Sequence, residues 1–107
     1  MDTVDSWAAL ADATRRTVLA RVVQQPSSVT VLARGLPVSR PAVSQHLQVL
    51  LRAQLVEVTQ QGRERIYSAR IDGLEALRRE LEMFWTQALL NFKDVAEATY
   101  RETGGEP

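Results

Sequence analysis

From Asp72 to about Arg101 the chain keeps a helical period without a break, and this one run limits every fold open to it. Leu74, Leu77, Leu81, Phe84, Trp85, Ala88, Leu89, Phe92 and Val95 recur at spacings of three and four, so they share one side of a helix. Gly104 and Gly105 mark its expected end. About 29 residues rising 1.5 Å each make a rod of roughly 43 Å, whereas a compact domain of this size has a radius of gyration of only ~13 Å. A chain of 107 residues cannot cover such a rod by itself. A two-fold dimer that pairs Leu81, Phe84, Trp85, Ala88, Leu89 and Phe92 with their copies, joined by Trp7 and Leu10 near the N-terminus, is the economical way to bury this face. The alternative is a seam packed wholly inside the chain's own core.

Ahead of that rod the sequence is cut into short pieces. Asp5 and Ser6 are both suited to cap a first short helix carrying Trp7, Leu10 and Ala11. A second helix begins near Asp12 to Thr14 and carries Val18, Leu19, Val22 and Val23 as its apolar stripe. It stops at Gln25, because Pro26 disfavours helix in the residue before it. Val29, Val31, Leu32 and Leu36 predict a third, very short helix closed by Gly35 and Pro37.

The fourth piece carries the chemistry. Ser39 caps it, Pro41 occupies a first-turn position where a missing N–H costs little, and Val43, Leu47 and Leu50 recur at i, i+4 and i+7. Pro41, Ser44, Gln45, Gln48 and Arg52 fall on or near the other side. That outer face starts with Arg40 and holds hydrogen-bonding groups without a carboxylate to repel phosphates, the profile of a helix that reads base edges in a DNA groove. His46 sits at its side, as a structural or a phosphate-contacting group. The tight Gly-Leu-Pro-Val connection before it makes the third and fourth helices a helix-turn-helix.

After Gln54 the period changes from helical to alternating: LVEVTQ and RIYSARI read as two strands around a turn at Gly62. Arg63 and Arg65 at the tip give either an ordinary hairpin with a solvated end or a basic wing that grips the DNA backbone or minor groove.

Net charge is zero, but it is segregated. Residues 13–70 carry nine arginines against Glu57 and Glu64, a net +7, while the flanks carry −3 and −4. An arginine-rich centre between acidic ends suits a protein that presents its middle to phosphate. The composition, 45% hydrophobic, suits one domain over 1–107. There is no cysteine, no apolar run near the ~20 residues that span a bilayer, and no secretion-signal pattern at the N-terminus, so a cytoplasmic protein is expected. No nucleophile is paired with a base and no glycine-rich phosphate loop occurs, so an enzyme and a bound cofactor are not expected.

Three segments carry a family resemblance: ALADATRRTVL (Ala9 to Leu19), LPVSRPAVSQHLQVL (Leu36 to Leu50) and GRERIYSARIDGLEALRRELEMFW (Gly62 to Trp85). Through them the chain resembles the ArsR family of bacterial winged-helix repressors over most of its length. The resemblance implies a mainly α fold with a small β-hairpin, a winged helix-turn-helix with a long C-terminal dimerisation helix. It also implies a homodimer that binds an inverted repeat in double-stranded DNA and represses transcription, including its own. Ser39, Arg40, Pro41, Ser44, Gln45, His46, Gln48, Arg63 and Arg65 are the expected DNA contacts.

Two departures stand out. Many relatives have proline where this chain has Ala13. Metal-sensing members use a cysteine pair in the helix before the recognition helix, or histidine and carboxylate ligands on the last helix. This chain has no cysteine, and its single histidine is His46, so it resembles the branch without a metal site, with no effector evident. Winged helices also serve as protein- or RNA-binding modules. Those would carry aromatic or aliphatic anchors on the exposed face, where this chain carries Arg, Ser and Gln.

Overall fold

Each of the first four helices starts at a side chain that accepts a backbone N–H left free by the first turn. Asp5 accepts from Trp7 and Asp12 from Arg15 at 2.9 Å; Ser28 accepts from Val31 and Ser39 from Ala42 at 3.2 Å. Of the two candidates at the first cap, Asp5 takes the position. The computed structural model describes residues 4–102. The described chain runs α1 (Ser6–Ala9), α2 (Ala13–Gln24), α3 (Val29–Arg34), α4 (Arg40–Arg52), β1 (Val56–Gln61), β2 (Glu64–Ala69) and α5 (Ile71–Glu102). It divides into two compact units, one up to Glu75 and one from Ala76 onward. None of its helices is long and apolar enough to cross a membrane.

The core of the first unit is built from Val18, Leu19 and Val22 of α2, Leu32 of α3, Val43, Leu47 and Leu50 of α4, and Leu55, Val56 and Tyr67 around the hairpin. Two expected core residues are not in it. Val23 and Val31 are 51% and 49% exposed. At 100° per residue, Val23 is turned well past the arc that Val18, Leu19 and Val22 share, and Val31 faces away from its buried neighbour Leu32. Leu36 also falls outside α3, which is capped at Gly35.

The hairpin is antiparallel, with register from Val56↔Ala69 to Gln61↔Glu64. Its loop is therefore two residues long. Gly62 takes φ 65° at the first of them, the conformation that a type II′ turn demands and that favours glycine. A further rung fastens the wing to the helices: Ser27 N–H donates to the Tyr67 carbonyl at 3.0 Å, and Tyr67 N–H donates back at 2.9 Å.

At the far end of α4, Leu55 N–H donates to Leu50 and Gln54 N–H to Leu51, the paired bonds of a Schellman cap. The cap puts Gln54 at φ 63°, a position usually held by glycine. The first turn of α5 is seated on that same backbone. A Cβ on Gly73 would stand 1.7 Å from the Gln54 carbonyl oxygen, and Arg70 N–H donates to Leu55 at 3.0 Å. Arg70 also pairs with Asp72 at 3.0 Å, which places a carboxylate in the first turn of α5 where the helix dipole favours it.

The helix α5 starts one residue earlier than expected, at Ile71, and its proposed stop at Gly104 and Gly105 lies outside the described residues. None of its residues is buried. Leu74 and Leu77 are half-covered, whereas Leu81, Phe84, Trp85, Leu89, Phe92 and Val95 are exposed. Met83 and Leu90 are exposed as well; at 100° per residue they lie on the opposite side from the expected stripe.

The joint between α4 and α5 gives a stability test. Gly73→Ala forces a methyl group into the Gln54 carbonyl and is expected to lower unfolding free energy by roughly 1–3 kcal/mol. Gln54→Gly relieves the left-handed backbone and is expected to raise it by a few tenths to about 1 kcal/mol. Urea midpoints measure both, and an unchanged midpoint for Gly73→Ala contradicts the seat.

Candidate nucleic-acid interface

Val43, Leu47 and Leu50 are all fully buried, which fixes how α4 is rolled about its axis. Each fully buried aliphatic side chain is worth roughly 1.5–3 kcal/mol, so turning this helix outward is expensive. With that face inside, Arg40, Pro41, Gln45, Gln48 and Arg52 are exposed, and Ser44 and His46 are half-covered. Ser39 is exposed at the cap, its oxygen engaged by Ala42 N–H.

The wing meets one edge of this polar arc. Arg40 and Ser44 of α4, Arg63 at the hairpin turn and Arg65 of β2 line one cleft, with Ser28 and Thr30 on its other wall. Glu64 is the acidic residue in that lining. The Arg65 guanidinium stands 5.9 Å from the centre of the Tyr67 ring, a cation–π contact that ties a long side chain to a buried anchor. Three arginines and four hydroxyl-bearing side chains, Ser28, Thr30, Ser44 and Tyr67, thus line a groove with one carboxylate, a lining suited to a phosphodiester strand.

Gln45, His46 and Gln48 belong elsewhere. They line a second cleft with Arg15 of α2 and with Val49 and Arg52 of α4. Of the residues expected to touch DNA, Arg40, Ser44, Arg63 and Arg65 thus line one cleft and Gln45, His46 and Gln48 another, while Ser39 and Pro41 line neither of the two. Arg15 and Arg52 join the second group and Ser28 and Thr30 the first, and none of the four was among the expected contacts. The cap at Ser28 is readable from its spacing to α3, but nothing in the linear sequence brings Arg15 of α2 beside α4. Asp12 lies near Arg15 and His46 of this second cleft. Its carboxyl is held below the usual 3.8 chiefly by the Arg15 backbone N–H, with the charges of His46 and Arg15 adding and partial desolvation opposing.

Of the residues expected in a dimer contact, Trp7 is 39% exposed and Leu10 is half-covered, while Leu81, Phe84, Trp85, Ala88, Leu89 and Phe92 of α5 all face solvent. Among the described residues, no three His, Cys, Asp or Glu side chains come together in a way that holds a metal ion.

A helix-turn-helix domain model matches residues 10–59, from the end of α1 into β1. The chain is 47% identical over 98 residues to the HTH-type transcriptional regulator Rv2034 of Mycobacterium tuberculosis, a match covering 92% of each chain. It is 38% identical to an ArsR-like transcriptional regulator from Rhodococcus, with a TM-score of 0.69 over 84% of this chain and 88% of that one. The chain belongs to the ArsR family of winged helix-turn-helix transcriptional regulators. A possible transcriptional regulator for arsenical resistance is similar again, at 37% identity and TM-score 0.71 over 78% of this chain and 86% of that one. For this ArsR-family chain, α3 and α4 are the DNA-binding helix-turn-helix and the β1–β2 hairpin is the wing. Transcriptional regulation is a non-enzymatic class, as the lack of a catalytic constellation led one to expect.

Proposed function

We propose that this regulator is a homodimeric repressor that binds an inverted-repeat operator in the cytoplasm, its own promoter included, and that it does so without a metal-sensing site. The observation that carries the reading is the pairing of an outward polar face on α4 with a solvent-facing apolar stripe on α5. The first reads one half-site. The second, with Leu81, Phe84, Trp85, Ala88, Leu89 and Phe92 at its centre, joins two copies together with Trp7 and Leu10 of the N-terminal segment, so that two half-sites are read together. Contiguous exposed apolar surface of this kind on a soluble domain marks an interaction site.

On α4, Arg40 reads guanine and Gln45 reads adenine, the pairings their donor and acceptor geometry favours. Ser44, His46 and Gln48 support them from the same helix, and Ser39 and Pro41 set where the helix starts. Arg63 and Arg65 hold backbone or minor groove. The absence of cysteine from α3 and of histidine from α5 supports repression that does not respond to metal.

Operator and scrambled duplexes separate the two roles. Gln45→Ala is expected to cost ~1–3 kcal/mol of discrimination, narrowing the gap between the two duplexes. Arg63→Ala is expected to weaken both alike and to lower the slope of log affinity against log salt by about one for each phosphate it no longer neutralises. Equal losses on both duplexes for Gln45→Ala, with an unchanged slope for Arg63→Ala, would reverse the assignment. In the same mobility-shift assay, stoichiometric zinc, nickel, cadmium or arsenite is expected to leave the complex intact. Chelator-reversible release by any of them would reveal a site built from carboxylates.

A further inference from the structure

Arg21 of α2 lines neither cleft; its guanidinium reaches the end of α3, where Nη2 donates to the Gly35 carbonyl at 2.8 Å. We propose that Arg21 is a positioning residue for DNA recognition: laid over Gly35, it sets the turn of the helix-turn-helix and, through that turn, the place of Arg40. The proposal rests on reading α4 as the recognition helix and Arg40 as its guanine contact.

Glycine at position 35 is what this contact needs. With φ −102° and ψ 10° its backbone lies in a region that alanine can enter, so the conformation does not demand glycine there. The space does. A Cβ at this position would overlap Nη1 of Arg21 and stand 2.9 Å from its Cζ and 3.1 Å from its Nη2, so the guanidinium plane fills the volume that a side chain would take. Arg21 and Gly35 are therefore a matched pair, one supplying the plane and the other the room for it.

Both ends of the contact are anchored. Val18, Leu19 and Val22 hold α2 in the core, and Arg21 projects from the turn that ends in Val22. On the other side, Gly35 N–H closes α3 on the carbonyl of buried Leu32 at 3.4 Å, and Leu36 N–H donates to Ala33 at 3.3 Å. A cation at the carbonyl end of α3 also has the sign that a helix C-terminus favours. From Gly35 the chain has only Leu36, Pro37, Val38 and Ser39 before Arg40 begins α4, and Pro37 holds its own φ fixed. A shift of the Gly35 carbonyl is therefore passed to the first turn of α4. Arg21 counts toward the positive charge of the middle of the chain, yet it is turned to the protein's own backbone rather than to phosphate.

The test uses the full chain and a duplex of about 30 base pairs recovered from a random pool by the wild-type protein, with copies that carry single base changes. Arg40→Ala identifies the base pair that Arg40 reads, with an expected loss of roughly 5- to 150-fold in preference. Arg21→Ala is expected to lose at least about threefold in preference at that same base pair, while the slope of log affinity against log salt keeps its wild-type value because no phosphate contact is removed. Gly35→Ala, which displaces the guanidinium, is expected to do the same. Arg21→Ala/Gly35→Ala is expected to be no worse than either single variant, since the methyl group then has no guanidinium to displace. Circular dichroism and urea midpoints check that each variant is folded in the assay. If Arg21→Ala is not, Arg21→Lys, which keeps a donor but not the plane, takes its place with the same loss in smaller measure expected. A lowered salt slope for the Arg21 variant makes Arg21 a phosphate contact and overturns the proposal. So does an unchanged preference in the Arg21 variant and Gly35→Ala, or losses that multiply in the double variant. Preference unchanged by Arg40→Ala, or failure of the wild type to recover any duplex, overturns the reading of α4 instead, and the positioning role falls with it.

Discussion

The burial of Val43, Leu47 and Leu50 is the contact on which the rest of this regulator depends. It turns a 13-residue helix so that one face is part of the core and the other carries no large apolar group to tempt a protein partner. The arc that results is edged by Arg40 and Ser44 on one side and by Val49 and His46 on the other. A charged side chain at Leu47 would be buried without a partner, so the polar arc cannot be rolled inward as a compromise. The wing is referred to the same core through Tyr67, which is buried, bonded to Ser27 and set beneath Arg65. The proposed DNA contacts from two separate stretches of chain are thereby positioned by one apolar cluster.

The C-terminal end of α4 has a second job. Its Schellman cap forces Gln54 into a left-handed conformation, and the carbonyl so presented is where Gly73 comes close. The helix α4 and the first turn of α5, whose later turns carry the solvent-facing apolar stripe, are therefore built on adjoining backbone. Beyond that turn α5 buries nothing of its own. A helix of 32 residues with Phe84, Trp85 and Phe92 facing water is a poor free-standing element but a good half of an interface.

Much of this was legible in the sequence because the signals are local. Caps at Asp5, Asp12, Ser28 and Ser39, the proline in the first turn of α4, and the switch from a period near 3.6 to a period of 2 at the hairpin all act over a few residues. The resemblance to the ArsR family then joined those pieces into a winged helix. What was misjudged depended on how wide each buried face is: Val23 and Val31 are apolar and in helices, yet the packing partners reach only Val18, Leu19, Val22 and Leu32. What was missed depended on long-range packing. Neither the approach of Arg15 to α4 nor that of Gly73 to Gln54 has a signature in its own neighbourhood.

In the proposed regulator the exposed face of α5 joins two copies, and DNA is read by the pair. Sedimentation of the wild-type chain and of Trp85→Glu/Phe92→Glu at micromolar concentration, with and without a duplex selected by the wild type, tests it most directly. The account predicts that the wild type sediments at twice its 12.0 kDa chain mass and binds the duplex as two chains. It also predicts that the double variant sediments as a single chain, or unfolds, and no longer binds the duplex. A wild-type protein that runs as a 12.0 kDa monomer, or a folded double variant that still pairs and binds, would contradict it.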